Sequence, residues 1–244
     1  MNEKKILING ADSRFCFYLK KKFNHKNVIY TNRKKLDILN YRQLIKTLKN
    51  NKIKIFIHIA ALSRPMDIHE KNIDLSIVTN IIGTANIVRA CKKLKIKMVY
   101  FSTNYIYPCK KGNYKETDSL LPINNYAWSK LGGECAVQML NDSLILRLSM
   151  TDYPFAYKKA IKNAYSSFIY NKDFAKILPY LLNQKGIINI GGKRQSIFNF
   201  AKKNNSKIKG MMIMKNSMFP RDSSLNTKKF EKILKKLKIN KIND

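Results

Sequence analysis

Acid is scarce in this chain of 244 residues: 15 Asp and Glu stand against 48 Lys and Arg, a formal net charge of +33. An excess of that size raises nucleic acid as a partner. Two features argue against it. The charge is nearly all lysine, and it is scattered along the chain rather than gathered in a stripe. Asn and Ile are abundant as well, so compositional bias explains the lysines more simply than a basic groove does. The charge still attracts small anions such as a nucleotide sugar.

Cysteine is scarce. Cys16, Cys91, Cys109 and Cys135 are widely spaced, with no C-x-x-C, so neither a zinc site nor a disulfide framework is suggested and reduced thiols fit best. Three histidines make no metal set, and His58, inside the apolar run Ile55–Ile59, reads as a satisfied core residue. No apolar stretch approaches the roughly 18 residues that span a bilayer. The N-terminus lacks the apolar stretch and cleavage site of a signal peptide. The expectation is a soluble, cytoplasmic protein with no nucleic-acid or membrane partner. Hydrophobic residues, at 45%, suffice for a packed core, and no repeat or low-complexity linker interrupts the chain.

Glycine is sparse too, at nine residues, and its scarcity matters most near the start. The apolar run Ile6-Leu7-Ile8 meets Gly10 and passes directly into a helical pattern, as a nucleotide-binding βα turn does. The glycines expected at the fourth and seventh places of such a turn are Ser13 and Cys16.

What is present is alternation. Strand patterns at Lys4–Asn9, Val28–Tyr30, Ile53–Ile59, Lys97–Phe101 and Leu144–Leu148 are separated by helical patterns at Ser13–Phe23, Tyr41–Lys49, Ile68–Lys93 and Asn125–Met139. The long helix places Ile73, Ile77, Ile81 and Val88 on one face. This order implies βαβ units and hence an α/β fold with a doubly wound parallel sheet, ligands binding beyond the carboxyl ends of the strands. After Arg147 the pattern is less regular. A helix over Phe174–Leu182, a strand at Ile187–Ile190 before Gly191-Gly192, a short helix at Ile197–Lys203 and a docked terminal helix at Thr227–Leu237 are expected. Residues 1–150 read as a dinucleotide-binding domain. Residues 151–244 read as a small substrate-side region that adds a late strand and a terminal helix.

The chemistry lies in a combination. The strand at Lys97 ends in Ser102-Thr103, and 23 residues after Thr103 comes Tyr126-Ala127-Trp128-Ser129-Lys130. Tyr and Lys four apart share a helix face. An ammonium beside a phenol lowers its pKa, and a hydroxyl at the adjacent strand end can share a substrate oxygen with it. Such a set can protonate a carbonyl as hydride arrives, or run in reverse. Tyr-x-x-x-Lys alone is weak in so lysine-rich a chain. After a Ser-Thr strand end and a glycine turn it is strong.

With these residues in place, the chain resembles the extended short-chain dehydrogenase/reductases, and within them the dTDP-4-dehydrorhamnose reductase family. IFIHIAA (55–61), TNIIGTANIVRA (79–90), VYFSTNYIY (99–107), KGNYKETDSLLPINNYAWSKLGGE (111–134), ILRLS (145–149), INIGG (188–192) and FPRDSSLNTKKFE (219–231) each resemble a family block, in order. The resemblance implies a Rossmann fold and a reductase of a nucleotide-bound 4-keto-6-deoxy sugar, feeding glycan synthesis. It implies Tyr126 as general acid, Lys130 as the group that lowers its pKa and binds the nicotinamide ribose, and Thr103, beside Ser102, as a hydrogen-bond partner of the reacting oxygen. Gly10, Ala11, Asp12, Ser13, Arg14 and Phe15 would hold the pyrophosphate at a helix N-terminus. Asp37 and Ile38 would lie near the adenine, Ala60, Ala61 and Leu62 along the cofactor, and Asn80 at the family's helix asparagine. Asn104 and Tyr105 would face the substrate with Thr103. Arg33 could pair with a 2′-phosphate, which points to NADP, with NAD left open. Pairing into a homodimer through the two long helices is a family habit that the sequence does not decide.

Three departures stand out: Ser13 and Cys16 in the glycine loop, Asn104 where Asp is common, and only eighteen residues between Ser149 and the segment at 168–178. Two other readings therefore stay open. One is an epimerase or dehydratase with tightly held NAD, the other a non-catalytic, dinucleotide-binding regulatory subunit.

Overall fold

The computed structural model describes residues 4–215 and 219–239. Strand β1 (Ile6–Asn9), helix α1 (Arg14–Lys22), β2 (Val28–Thr31), α2 (Tyr41–Asn50) and β3 (Ile55–His58) form the first units. The short helices α3 (Ile68–Lys71) and α4 (Ile73–Ser76), a π turn over Ile77–Ile82 and helix α5 (Gly83–Leu94) lead to β4 (Lys97–Thr103). A 3-10 turn at Asn104–Ile106, helix α6 (Asn125–Gln138) and strand β5 (Ser143–Leu148) follow. The later part contains the short strands β6 (Met150–Thr151), β7 (Lys159–Ile161), β8 (Tyr165–Ser166) and β9 (Ile169–Tyr170), then α7 (Asn171–Leu181) and β10 (Gly186–Ile190). It ends with β11 (Gln195–Ser196), α8 (Ile197–Lys202), β12 (Lys209–Met211) and α9 (Lys228–Lys236).

Six strands pair in the order β10-β5-β4-β3-β1-β2, every pairing parallel. The architecture is therefore the doubly wound α/β sheet expected from the alternation, with its last strand drawn from beyond residue 150. Strand residues point to alternate faces, and a parallel sheet buries both. Ile6 and Ile8 pack with Phe15, Leu19, Phe174, Leu178 and the terminal-helix residues Phe230 and Leu234 on one side. Leu7 packs with Leu44, Leu48, Ile87 and Val137 on the other. A third cluster, including Phe155, Ile161, Tyr170 and Phe200, supports the later part. His58 is buried with both ring nitrogens engaged, by Asn9 and Thr84.

The single helix expected over Ile68–Lys93 is a correction. Asn72 leaves helical geometry at φ −141°, ψ 79°, and its side chain accepts a hydrogen bond from the Leu75 amide, capping a new helix. The π turn then shifts the register. Ile73 and Ile77, expected on one face with Val88, are exposed at 53% and 40%, whereas Val88 is buried. An asparagine that can hydrogen-bond its own backbone offers an alternative to helix continuation, which apolar spacing does not register. Among the described residues no helix is long and apolar enough to cross a membrane, and no group of ligating side chains could hold a metal ion.

Candidate active site

Because the sheet is parallel, the segments following β1, β3 and β4 emerge at one edge, and the sequence-predicted residues gather there. Gly10 takes φ +79°, and a Cβ on it would stand 2.8 Å from the Ala60 nitrogen. Glycine is therefore required where the loops after β1 and β3 touch. Gly10→Ala is expected to lose roughly 1–3 kcal/mol of stability, read by urea unfolding.

The two non-glycine positions of this loop have defined structural roles. Ser13 is the N-cap of α1, its hydroxyl accepting from the Cys16 amide. Cys16 is buried in the core cluster beneath the sheet, and burial pushes its thiol up. Phe15 likewise turns its ring into the core. The first-turn amides of Arg14 and Phe15 lack intrahelical acceptors and remain available to an anion. Ala11 is tied to Thr31 through its amide and to Lys20 through its carbonyl, and Asp12 accepts from Asn32.

Beyond β2, Arg33 is exposed. Asp37 accepts from the Leu39 amide, and the Ile38 side chain lies where Gly83 leaves room for it. Asn9 was not singled out by sequence, yet its carbonyl oxygen gathers the Ile59 and Ala60 amides and so fixes the loop holding Ala60 and Ala61. Asn80, presented by the π turn, clasps both backbone groups of Leu62 and donates to Ser129 of α6. Its side chain is thereby engaged in tying the β3 loop to α6.

At the end of β4, Ser102 and Thr103 are buried. Asn124 caps α6 by accepting from the Ala127 amide, which places half-buried Tyr126 in the first turn and buried Lys130 one turn later. The Thr103 hydroxyl acts on the Tyr126 phenol and itself accepts from the Tyr105 amide. Burial pushes the Tyr126 phenol up to about 12, against smaller downward pulls from Thr103 and Arg64. It is therefore protonated at neutral pH. The Lys130 ammonium lies 4.2 Å from the Tyr100 ring centroid. Burial brings Lys130 down to about 7, with Glu134 pulling it back up. The groups acting on Tyr126 here are Thr103 and Arg64, whereas the sequence pattern had assigned that role to Lys130. Asn104 is also buried, donating to the Ser223 carbonyl. It fastens the strand end to the C-terminal region, and Tyr105 follows it in the 3-10 turn.

The depressed Lys130 has a consequence for stability. Its ordinary value is 10.5 and its folded value about 7. Between these, the unfolded chain binds more protons, so this group's contribution to stability rises with pH. Lys130→Met is expected to flatten that slope in urea melts taken from pH 7 to pH 10.

Beneath Ser102 lies an ion pair that the sequence reading did not single out. Arg147 of β5 reaches Glu134 of α6 at 2.7 Å, with side chains 2% and 0% exposed. Ser102 and Gln138 donate to the same carboxylate, and Arg147 also donates to Tyr107 and the Glu116 carbonyl. The available signal was an arginine in an apolar strand, with a glutamate four residues after Lys130 on the same helix face.

The parallel sheet, the strand-end hydroxyls and the tyrosine and lysine one helical turn apart define an α/β protein of dinucleotide-binding, short-chain reductase architecture. Residues 4–169 match the family model described as the RmlD substrate binding domain, and the chain belongs to that family. Over 116 residues it is 32% identical to the probable low-salt glycan biosynthesis reductase of Haloferax volcanii, covering 47% of this chain and 38% of that protein. Over 114 residues it is 28% identical to the methionine adenosyltransferase 2 subunit beta of Xenopus laevis, covering 46% of this chain and 34% of that one. The matched segments thus span little more than a third of these curated relatives. Among solved structures, a dTDP-4-dehydrorhamnose reductase from Bacillus anthracis in complex with NADP superimposes with a TM-score of 0.84 at 25% identity, covering 94% of this chain and 92% of that one.

Proposed function

We propose that this protein is an NADPH-dependent reductase of a nucleotide-bound 4-keto-6-deoxy sugar. The observation that carries the reading is Tyr126 in the first turn of α6 with Lys130 buried one turn along, beside the buried Thr103 at the end of β4. The cradle fits a dinucleotide. Gly10 lets the loop after β1 pass against the Ala60 backbone, and the first turn of α1 presents amides without intrahelical acceptors beside it. Arg33, followed by two lysines with no acid among them, favours a 2′-phosphate and hence NADP over NAD. The bound dinucleotide would supply hydride. Tyr126, protonated at neutral pH, gives its proton to the developing alkoxide, and Thr103 orients the same oxygen. Lys130, neutral or charged near pH 7, is placed to hold ribose hydroxyls and to restore the proton.

In this reading residues 1–150 bind the dinucleotide and 151–244 form the substrate side, while exposed Ile73, Ile77 and Trp128 offer a face for a homodimer. The test is NADPH consumption by the purified chain with dTDP-4-keto-6-deoxy sugars. Turnover is expected; no binding of NADPH and no turnover with any nucleotide-4-keto sugar overturns the reading. A second reading, a dinucleotide-binding regulatory subunit, draws on the match to the methionine adenosyltransferase subunit. Unchanged cellular function in a Tyr126→Phe strain would favour it.

A further inference from the structure

Arg14, the first residue of α1, and Arg64, in the loop after β3, lie 50 residues apart in sequence, yet both end on one atom. The Nη1 of each meets Oδ2 of Asp152, Arg64 at 2.9 Å. Asn171 donates to the other carboxylate oxygen at 3.1 Å. The Asp152 side chain is 15% exposed, whereas those of Arg14 and Arg64 are 67% and 51% exposed. The anion is thus anchored, and the two cations lie over it with most of their donors facing water. Two guanidiniums on one carboxylate leave a net positive charge. Exposed pairs of this kind add little to stability, so the convergence is not explained by the fold. A depression of about 460 Å³, lined in part by Asp12, Ser13, Arg14, Asp152, Tyr153 and Asn171, adjoins it. Arg64 also bears electrostatically on Tyr126 and Tyr105.

A single carboxylate oxygen cannot satisfy two planar guanidinium forks. A diphosphate can, because it offers several oxygens and at least twice the charge, and arginine binds phosphate bidentately. We propose that Arg14 and Arg64 together form a seat for a diphosphate at the mouth of the site, and that Asp152 is the internal anion which the diphosphate displaces. Arg64 thereby becomes a binding residue that no sequence motif pointed to. The inference rests on the reductase reading only for the source of the diphosphate, either the dinucleotide or the nucleotide sugar.

The test is calorimetric titration of the full chain with three probes: inorganic pyrophosphate, NADPH and dTDP, each at low and moderate salt. Arg64→Met is expected to weaken pyrophosphate, and at least one nucleotide, by about tenfold or more, and to flatten the salt dependence. Asp152→Asn is expected to tighten the same ligand several-fold, since a competing anion is removed. Loss confined to NADPH assigns the seat to the dinucleotide, and loss confined to dTDP assigns it to the sugar nucleotide. If Arg64→Met leaves all three probes within twofold of wild type, the proposal is overturned. It also falls if Asp152→Asn weakens the ligand that Arg64→Met weakens, because Asp152 is then a structural bridge. Pyrophosphate separates the two readings: a chain that binds it through Arg64 but turns over no sugar nucleotide keeps the seat and loses the reductase.

Discussion

Replacing Tyr126 by phenylalanine is expected to lower the rate of carbonyl reduction by about 10²–10⁴-fold, the range for removal of a positioned general acid. The NADPH dissociation constant should change little. The phenol is kept protonated by burial, so the variant removes one proton donor while the ring remains in place. In steady-state kinetics kcat should fall with KM nearly constant, since the lost interaction is made only as charge develops on the oxygen. A Tyr126→Phe enzyme retaining more than a tenth of wild-type kcat would show that another group delivers the proton.

The second large effect lies beneath the site. Arg147→Met is expected to destabilise the protein by about 3–5 kcal/mol, because it strands the Glu134 carboxylate in the interior. Glu134 is fully buried, and its remaining donors, Ser102 and Gln138, are neutral. The double variant Glu134→Leu with Arg147→Met should recover much of that loss, since an apolar pair of similar volume avoids desolvating two charges. Urea denaturation of wild type, single and double variants measures both. Equal instability of the single and double variants would mean that the wider network through Tyr107 and Glu116, rather than the ion pair, holds β5 to α6.

Local pattern reached far in this chain because an α/β sheet is built from local repeats. Period and order, from Ile6-Leu7-Ile8 through Lys97 to Ile188, are set by which side chains must leave water, and that alone determined a parallel sheet with helices on both faces. The spacing of Thr103, Tyr126 and Lys130 was legible for the same reason. A strand end and a helix face are local objects, and their order along the chain implies their meeting. The break at Asn72 was hidden because a side-chain cap competes with helix continuation without altering the apolar period.

Only the tertiary structure decided what depends on residues distant in sequence. It showed that Ser13 caps a helix and Cys16 fills the core, so the missing glycines have been absorbed by packing. It joined Glu134 to Arg147 and placed Arg14, Arg64 and Asp152 on one another across 138 positions of chain. The sequence by itself determined the fold class, the family and the spacing of the candidate trio Thr103, Tyr126 and Lys130. The charges that surround the trio were decided in three dimensions, because electrostatic partners are chosen by distance and burial and carry no periodic signature along the chain.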